Sequence, residues 1–432
     1  MKKILVITYA FPPLKVPVMP CVAKVVVGLN KIGYTVDVVC ADAHTSIFLE
    51  DKSLLPFVKN GCENIMRLQP NSLVSKTYRK VDLSFFDITI EKIISIPLMK
   101  RIARFFLKFK NPDLMSILND TMFNTLVEMN LCQYKAVISF SPFYSVNLMM
   151  VRLKKKFPQL RWIAQFSDPW AQNPLERSKS VRFWANWHEL NTVYRADYIV
   201  HNSIASHDSM MKKYALFFRR RSMTIPHPFD KALYPVRLKR KNEKIVLRYV
   251  GTVFGCRSPE TFFMALNLLL QRRKDLTSLL SIEFLGNRES DVLPTPAEKA
   301  LPPEMLRWRS SVSYIDSLEE MYDADILILL EAAVKKNLFV PSKLSDYIGA
   351  NTPILGIVPS GPVHDIIVKL GGWHAHPSDI EEIATALESI ITFSQMRLPD
   401  TKWYNENISK SFEATDVANQ YAQLIEEREV LL

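Results

Sequence analysis

Apolar residues along this 432-residue chain fall into short continuous runs, separated by stretches in which they recur at helical spacing. A short apolar run bounded by turn residues marks a buried strand, and strand, helix, strand with a brief return is the unit of a doubly wound parallel sheet. "KILVIT" (3–8) is the first strand, "CVAKVVVGLNKIGY" (21–34) a helix closing near Gly33, and "TVDVVCA" (35–41) the second strand. "KAVISFS" (135–141), "RWIAQFS" (161–167) and "ADYIVHNS" (196–203) supply later strands, each followed by a helical pattern. "MTIPHPFD" (223–230) then leads into the polar, basic stretch "KALYPVRLKRKNEK" (231–244), which reads as a linker. The pattern restarts with "IVLRYVG" (245–251), a helix from about Ser258 to Arg273, and the strands "LLSIEFLG" (279–286), "VSYID" (312–316), "DILILLE" (325–331) and "PILGIV" (353–358).

This order predicts an α/β protein with two Rossmann-like doubly wound domains, residues 1–230 and 245–400, joined by the 231–244 linker. Residues 401–432 read as mostly helical and are expected to pack back on the first domain. The domains are expected to face each other across a cleft, with ligands at the carboxyl ends of the strands. No internal repeat or low-complexity tract is visible.

Composition narrows the class. The chain is too long for one core, and 48% hydrophobic with 23% charged residues is globular rather than disordered. A formal net charge of +11 favours an anionic partner: nucleic acid, anionic lipid or a phosphorylated small molecule. Five scattered cysteines without a C-x-x-C pair argue against a zinc or disulfide framework and fit a reducing cytoplasm. The opening "MKKILVITYAFPP" has an apolar run too short for a signal peptide, with no small-residue cleavage site after it. No segment reaches the roughly 20 apolar residues that span a bilayer.

Several stretches could carry chemistry. In "VPSKLSDYIGANTPILGI" (340–357), Lys343 and Asp346 stand three residues apart where a helix begins. The N–H groups of a first turn lack intrahelical partners and attract phosphate. An ordinary exposed Lys–Asp pair is the plain alternative. "YAFPP" (9–13) closes the first strand, and "ISFSPFYSVNLMM" (138–150) places Ser141 and Ser145 at a helix entry, where capping is the ordinary role. "QFSDPW" (165–170) sets Asp168 at a strand end, able to accept a hydroxyl proton, to bond a sugar, or simply to cap a turn. "RYVGTVFGCRSPETF" (248–262) ends a strand at Gly251 with Arg257 six residues later; an arginine can grip a diphosphate with two N–H groups, or merely lie in solvent.

Taken in this order, the motifs resemble the retaining glycosyltransferases of the two-domain GT-B fold, specifically the large family 4 that uses nucleotide-sugar donors. The resemblance spans nearly the whole chain. "QFSDPW" is similar to a "DFRDPW" signature of one subgroup, with Gln165 and Ser167 replacing an acid and an arginine. The resemblance implies catalytic roles for Asp168 and Glu331, and a donor site of Gly251, Thr252, Arg257, Gly286, Ser342, Lys343, Leu344 and Asp346. Asp346 falls on the second acid of an E-x7-E motif, which holds the donor ribose; Leu338 occupies the first position, so Glu331 is taken to replace it. Lys343 and the N–H groups of Ser342 to Leu344 are then expected to receive the diphosphate. Pro12, Pro13 and Ser141 belong on the acceptor side, because "LKVPVMP" stands where the family has a glycine-rich loop. The usual acceptor-side histidine has no counterpart here. The nucleotide sugar is substrate, with neither cofactor nor metal expected. The acceptor class is a glycan or lipid-linked intermediate of bacterial cell-envelope polysaccharide, such as capsule or O-antigen, handled in the cytoplasm or at the inner face of the plasma membrane.

One stretch stands outside the motifs. After Pro97, "LMKRIARFFLKFK" sets Leu98, Ile102, Phe105, Phe106 and Phe109 on one helical face and Lys100, Arg101, Arg104 and Lys108 on the other. Arg101, Arg104, Phe105 and Phe109 are expected to meet an anionic membrane interface, the alternative being a domain helix with a basic outer face. Rival readings of the chain are a nucleotide-sugar epimerase, a catalytically weakened scaffold or glycan-binding protein, and a nucleic-acid binder. The last is suggested by charge alone, without a stacking motif, and nucleic acid is not expected as a partner.

Overall fold

The computed structural model describes residues 2–43, 49–70, 112–141, 143–176, 178–290, 292–334, 337–395 and 403–427. The proposed membrane-facing residues Arg101, Arg104, Phe105 and Phe109 lie outside the described residues. The chain divides into two compact units, one of residues 1–226 with 417–432 and one of residues 227–416.

The first unit is built on a seven-stranded parallel sheet in the order β3-β2-β1-β4-β5-β6-β7. Its central strands are β1 (Lys3–Thr8), β4 (Ala136–Phe140) and β5 (Trp162–Phe166), which are almost wholly buried. Strands covered on both faces favour apolar residues on both sides, which is why they show as near-continuous apolar runs, broken only inside β4 and β5 by the buried Ser139 and Gln165. On one side follow β2 (Thr35–Ala41) and β3 (Asn64–Leu68), on the other β6 (Tyr198–His201) and β7 (Ser222–Thr224). The Met19–Lys31 helix ends as expected beside Gly33, whose φ of +95° is the left-handed conformation that stops a helix.

A second parallel sheet, ordered β10-β9-β8-β11-β12-β13, carries the other unit. It comprises β8 (Ile245–Val250), β9 (Leu280–Leu285), β10 (Leu306–Arg309), β11 (Ile326–Leu330), β12 (Ile354–Ile357) and β13 (Trp373–Ala375). Apolar clusters cover both of its faces, one around Phe262, Phe284 and Leu387, the other around Leu344, Tyr347 and Ile367.

One predicted element is wrong. Residues 312–316 are not a strand: Ser313 caps a helix over Tyr314–Asp323, its Oγ accepting from the Asp316 N–H at 3.2 Å. A serine three residues before an acid is a helix-start signal, and it outweighs the β-branched character of the stretch. The strand that pairs with β9 lies earlier, at "LRWR". The stretch 231–244 belongs to the second unit, where Arg237 pairs with Asp323 at 2.8 Å, and so do residues up to Asp416.

The segment that returns to the first unit is the end of the Ala414–Glu426 helix. Tyr421 packs against Phe140 with ring centroids 6.0 Å apart. Glu426 accepts from the Tyr34 hydroxyl at 2.7 Å and pairs with Lys2 at 3.0 Å and with Lys135. Arg161 donates to the Leu424 and Ile425 carbonyls at 3.1 and 3.0 Å, satisfying acceptors that a helix end leaves unpaired.

Candidate functional site

In the second unit, β8 and β11 are neighbours from which the connections leave in opposite directions, the switch point at which open α/β sheets bind ligands. Their pairing covers only Leu247 with Ile326 and Arg248 with Leu327. Beyond it the strands part, and the gap is filled by Tyr347 of the Ser342–Gly349 helix. Its buried hydroxyl accepts from the Val250 N–H at 3.0 Å and donates to the Ile328 carbonyl at 3.2 Å. A phenol can do both at once, so the sheet opens without orphaning backbone groups. Burial raises the pKa of this hydroxyl, which keeps its proton.

Gly251 and Gly286 follow β8 and β9 with φ of +127° and +145°. A Cβ on Gly286 would stand 2.2 Å from the Gly251 carbonyl oxygen, and one on Gly251 would stand 2.7 Å from Lys343 Nζ. The ammonium therefore rests against bare backbone at the end of β8. It donates to the Tyr249 hydroxyl at 2.9 Å and lies 4.1 Å from that ring's centroid. Among the described residues Lys343 forms no ion pair, so its positive charge is left for whatever occupies the strand ends.

The helix that carries Lys343 starts after Pro341, which supplies no side-chain cap. The Leu344 N–H already donates to the Pro341 carbonyl at 3.0 Å, so this third first-turn group is engaged within the turn itself. Asp346, one turn on, is buried, and its carboxylate accepts from the Tyr314 hydroxyl at 2.8 Å. The helix that replaces the expected 312–316 strand thus delivers a tyrosine to the proposed ribose ligand.

Arg257 and Glu331, taken separately in the sequence, form one ion pair at 3.1 Å, with the guanidinium 4.7 Å from the Phe254 ring centroid. The carboxylate at the end of β11 fixes the orientation of the arginine and leaves part of its fork of N–H groups for a ligand. Thr252 is exposed, and its carbonyl accepts from the Tyr249 hydroxyl at 2.9 Å.

The acceptor-side candidates lie in the first unit, at the carboxyl ends of the adjacent strands β1, β4 and β5. Pro12 and Pro13 are buried, and the Pro13 carbonyl accepts from the Asp51 N–H at 2.6 Å. Ser141 is also buried and does not cap a helix: its Oγ donates to the Gln165 carbonyl at 3.1 Å, tying β4 to β5. Asp168 is half-buried, and its carbonyl accepts from the Tyr144 hydroxyl at 2.9 Å, the Tyr144 ring stacking on Trp170 at 4.6 Å.

Asp113 escapes the sequence reading altogether. Its carboxylate accepts from the Ser145 N–H and Oγ at 2.8 and 2.6 Å and from the Met115 N–H at 3.0 Å, joining two helix starts. Burial pushes its pKa up to about 6 despite those donors. Tyr249, Tyr314 and Tyr347 are missed as well. Their signal is a hydroxyl placed in an otherwise apolar run, which demands a partner when buried.

The chain matches no family model, and no curated protein matches it by sequence. Solved structures do match along the whole chain. The Anabaena protein Alr3699/HepE in complex with UDP is 12% identical, covers 98% of both chains and has a TM-score of 0.61. Sucrose-phosphate synthase from Thermosynechococcus elongatus is 13% identical over 98% of both, with a TM-score of 0.62. The lipopolysaccharide outer core galactosyltransferase WaaB is 16% identical over 98% of this chain and 99% of its own, with a TM-score of 0.57. The fold is that of two Rossmann-like domains known as GT-B.

Proposed function

We propose that the protein is a glycosyltransferase that moves a sugar from a nucleotide-diphosphate sugar to a glycan or lipid-linked acceptor. The observation that carries this reading is the Lys343 ammonium, without an ion-pair partner among the described residues and seated on the Gly251 backbone at the switch point of the second sheet. Structural neighbours of the same fold add support: one is in complex with UDP and another is a galactosyltransferase.

In this reading the donor diphosphate lies across the ends of β8 and β11. Lys343, Arg257 and the start of the 342–349 helix face it, while Asp346, oriented by Tyr314, takes the ribose hydroxyls. The bond from the anomeric carbon to the diphosphate oxygen breaks, and the electron pair leaves with the nucleoside diphosphate. Lys343 and Arg257 neutralise that developing charge, which preorganised cations do well in a site with little water. An acceptor oxygen forms the new bond and gives up its proton; Asp168 is the group assigned to receive it or to hold the acceptor. Glu331 acts by holding Arg257. Retention at the anomeric carbon, independence of metal ions, and a place in cell-envelope polysaccharide assembly at the inner membrane face complete the proposal.

Thermal unfolding of the purified chain against UDP, GDP, ADP, dTDP and CMP tests it. One diphosphate should raise the Tm, by an amount corresponding to about 2.7 kcal/mol at a hundredfold excess over Kd. Lys343→Ala should weaken that nucleotide by about 10- to 100-fold, the scale of a charged hydrogen bond, and Asp346→Ala should weaken it also. A selective shift without sugar transfer from any matching donor would mark a binding protein on this fold instead. No shift from any nucleotide would end the donor-site assignment.

A further inference from the structure

Three helices of the first unit enclose a groove of about 400 Å3, whose lining includes none of the residues assigned above to donor or acceptor. Its floor is the outward face of the Ser145–Lys156 helix, where Leu148, Val151, Arg152 and Lys155 recur at helical spacing. Leu148 and Val151 are half-buried, so the floor is apolar at its centre. One wall is the start of the Asn119–Glu128 helix with the turn before it. The other is the Lys179–Arg195 helix, which presents Trp187, 50% exposed. A groove of this volume falls in the range of small-molecule sites.

The polar side chains of the walls are held in place without being used up. Asn119 Oδ1 accepts from the Tyr9 hydroxyl, and among the described residues its Nδ2 makes no hydrogen bond. Asn191 gives one hydrogen to the Trp187 carbonyl at 2.8 Å and its oxygen accepts from Arg195 at 2.9 Å, which leaves one hydrogen and one lone pair. Asp120 meets Arg152 through Oδ1, at 2.6 Å, so its second oxygen is left for a donor. Each side chain has a fixed orientation and a spare donor or acceptor, and such preorganisation lowers the cost of binding.

An open indole beside amides and a carboxylate with spare positions matches a sugar. The C–H face of a pyranose ring covers an aromatic face, while its rim of hydroxyls, each donor and acceptor at once, calls for planar side chains that do both. We propose that the groove binds a glycan, holding the length of acceptor that lies away from the carboxyl ends of β1, β4 and β5. The groove leads toward those ends. Tyr9, which anchors Asn119, follows β1 and precedes Pro12 and Pro13, and His188 of the lining stacks at 5.9 Å on Trp170, two residues from Asp168. A phosphorylated ligand fits less well, because Asp120 engages Arg152 and leaves Lys155 as the one cation of the lining without an ion-pair partner among the described residues. An apolar peptide would strand Asn119, Asp120 and Asn191 against carbon. The role in holding acceptor rests on the glycosyltransferase reading; glycan binding itself does not.

The test is titration of the full chain with trisaccharides of glucose, galactose, N-acetylglucosamine and galacturonic acid, read by tryptophan emission and by calorimetry. At least one should bind saturably and shift the emission. Trp187→Phe should bind it with a smaller shift. Trp187→Ala, which removes the platform, and Val151→Phe, which fills the floor, should each weaken it at least about tenfold. Trp187 is an exposed position, so an unaltered Tm for Trp187→Ala keeps the test decisive even where Val151→Phe lowers stability. The nucleotide-induced shift of the second unit should persist in both variants. No saturable binding by any trisaccharide would overturn the proposal, as would equal binding by the native and both variant chains. So would a concentration-dependent dimer abolished by Trp187→Ala, which would give the groove to a second copy. Sugar binding without any nucleotide shift would uphold the groove and end the donor-site assignment; a nucleotide shift without sugar binding would do the reverse.

Discussion

Lys343, Gly251 and Gly286 form a stack in which each member permits the next: one glycine lets the ammonium reach backbone, the other lets two strand ends touch. Gly286→Ala should destabilise the second unit by about 2–4 kcal/mol, since it adds a clash with a carbonyl oxygen to a backbone angle that side chains avoid. Urea unfolding measures this, and an unchanged midpoint would refute the close approach. Asp113 gives a pH signature of opposite sign to most carboxylates. Its pKa in the folded chain, about 6, lies above the ordinary 3.8. The stability linked to it is therefore complete below about pH 4 and disappears as pH rises through 6. Asp113→Asn loses an acceptor and should be less stable throughout, but its stability should lack that decline between pH 4 and 6. Parallel pH profiles for the two proteins would give the same slope if the carboxyl titrated normally.

Elements were legible in proportion to their burial. The central strands β1, β2, β4, β5, β8, β9, β11 and β12 all appear as largely apolar runs, because a strand covered on both faces has few polar positions to blur it, Asp37, Gln165, Arg248 and Glu283 being buried exceptions. The edge strands β3, β7, β10 and β13 are short and half-buried, with sequences such as "NIMRL", "SMT" and "LRWR", and no periodicity separates them from loops. The candidate site was legible in its charged members and in Gly251 and Gly286, but not in the contacts that hold them. The Arg257–Glu331 pair and the Tyr314–Asp346 bond join residues 74 and 32 positions apart, which no local pattern connects. The Ala414–Glu426 helix carries its own prediction. Lys135, Tyr34 and Lys2 lower the Glu426 pKa from 4.5 to about 2. Its contribution is complete above about pH 4.5 and is lost as pH falls toward 2. Glu426→Gln should loosen this helix at neutral pH, seen as faster amide exchange over residues 417–426, and should abolish the acid-dependent loosening.

At the scale of the whole molecule, the first unit is assembled from two stretches of chain separated by the entire second unit. A chain ending at Asp416 should keep the nucleotide-induced shift of the second unit, while the first unit, deprived of Tyr421 and Glu426, melts earlier. Two calorimetric transitions would display this, and loss of both together would show that the units fold as one. The order of synthesis gives the arrangement a further meaning. Residues 227–416 number 190 and take roughly 10–40 s to translate, so for that interval the seven-stranded sheet waits on the ribosome without its final helix. The unit made first is completed last. A prematurely terminated chain would carry an exposed apolar groove where Tyr421 belongs, a mark by which chaperones and proteases could tell an unfinished product from a finished one.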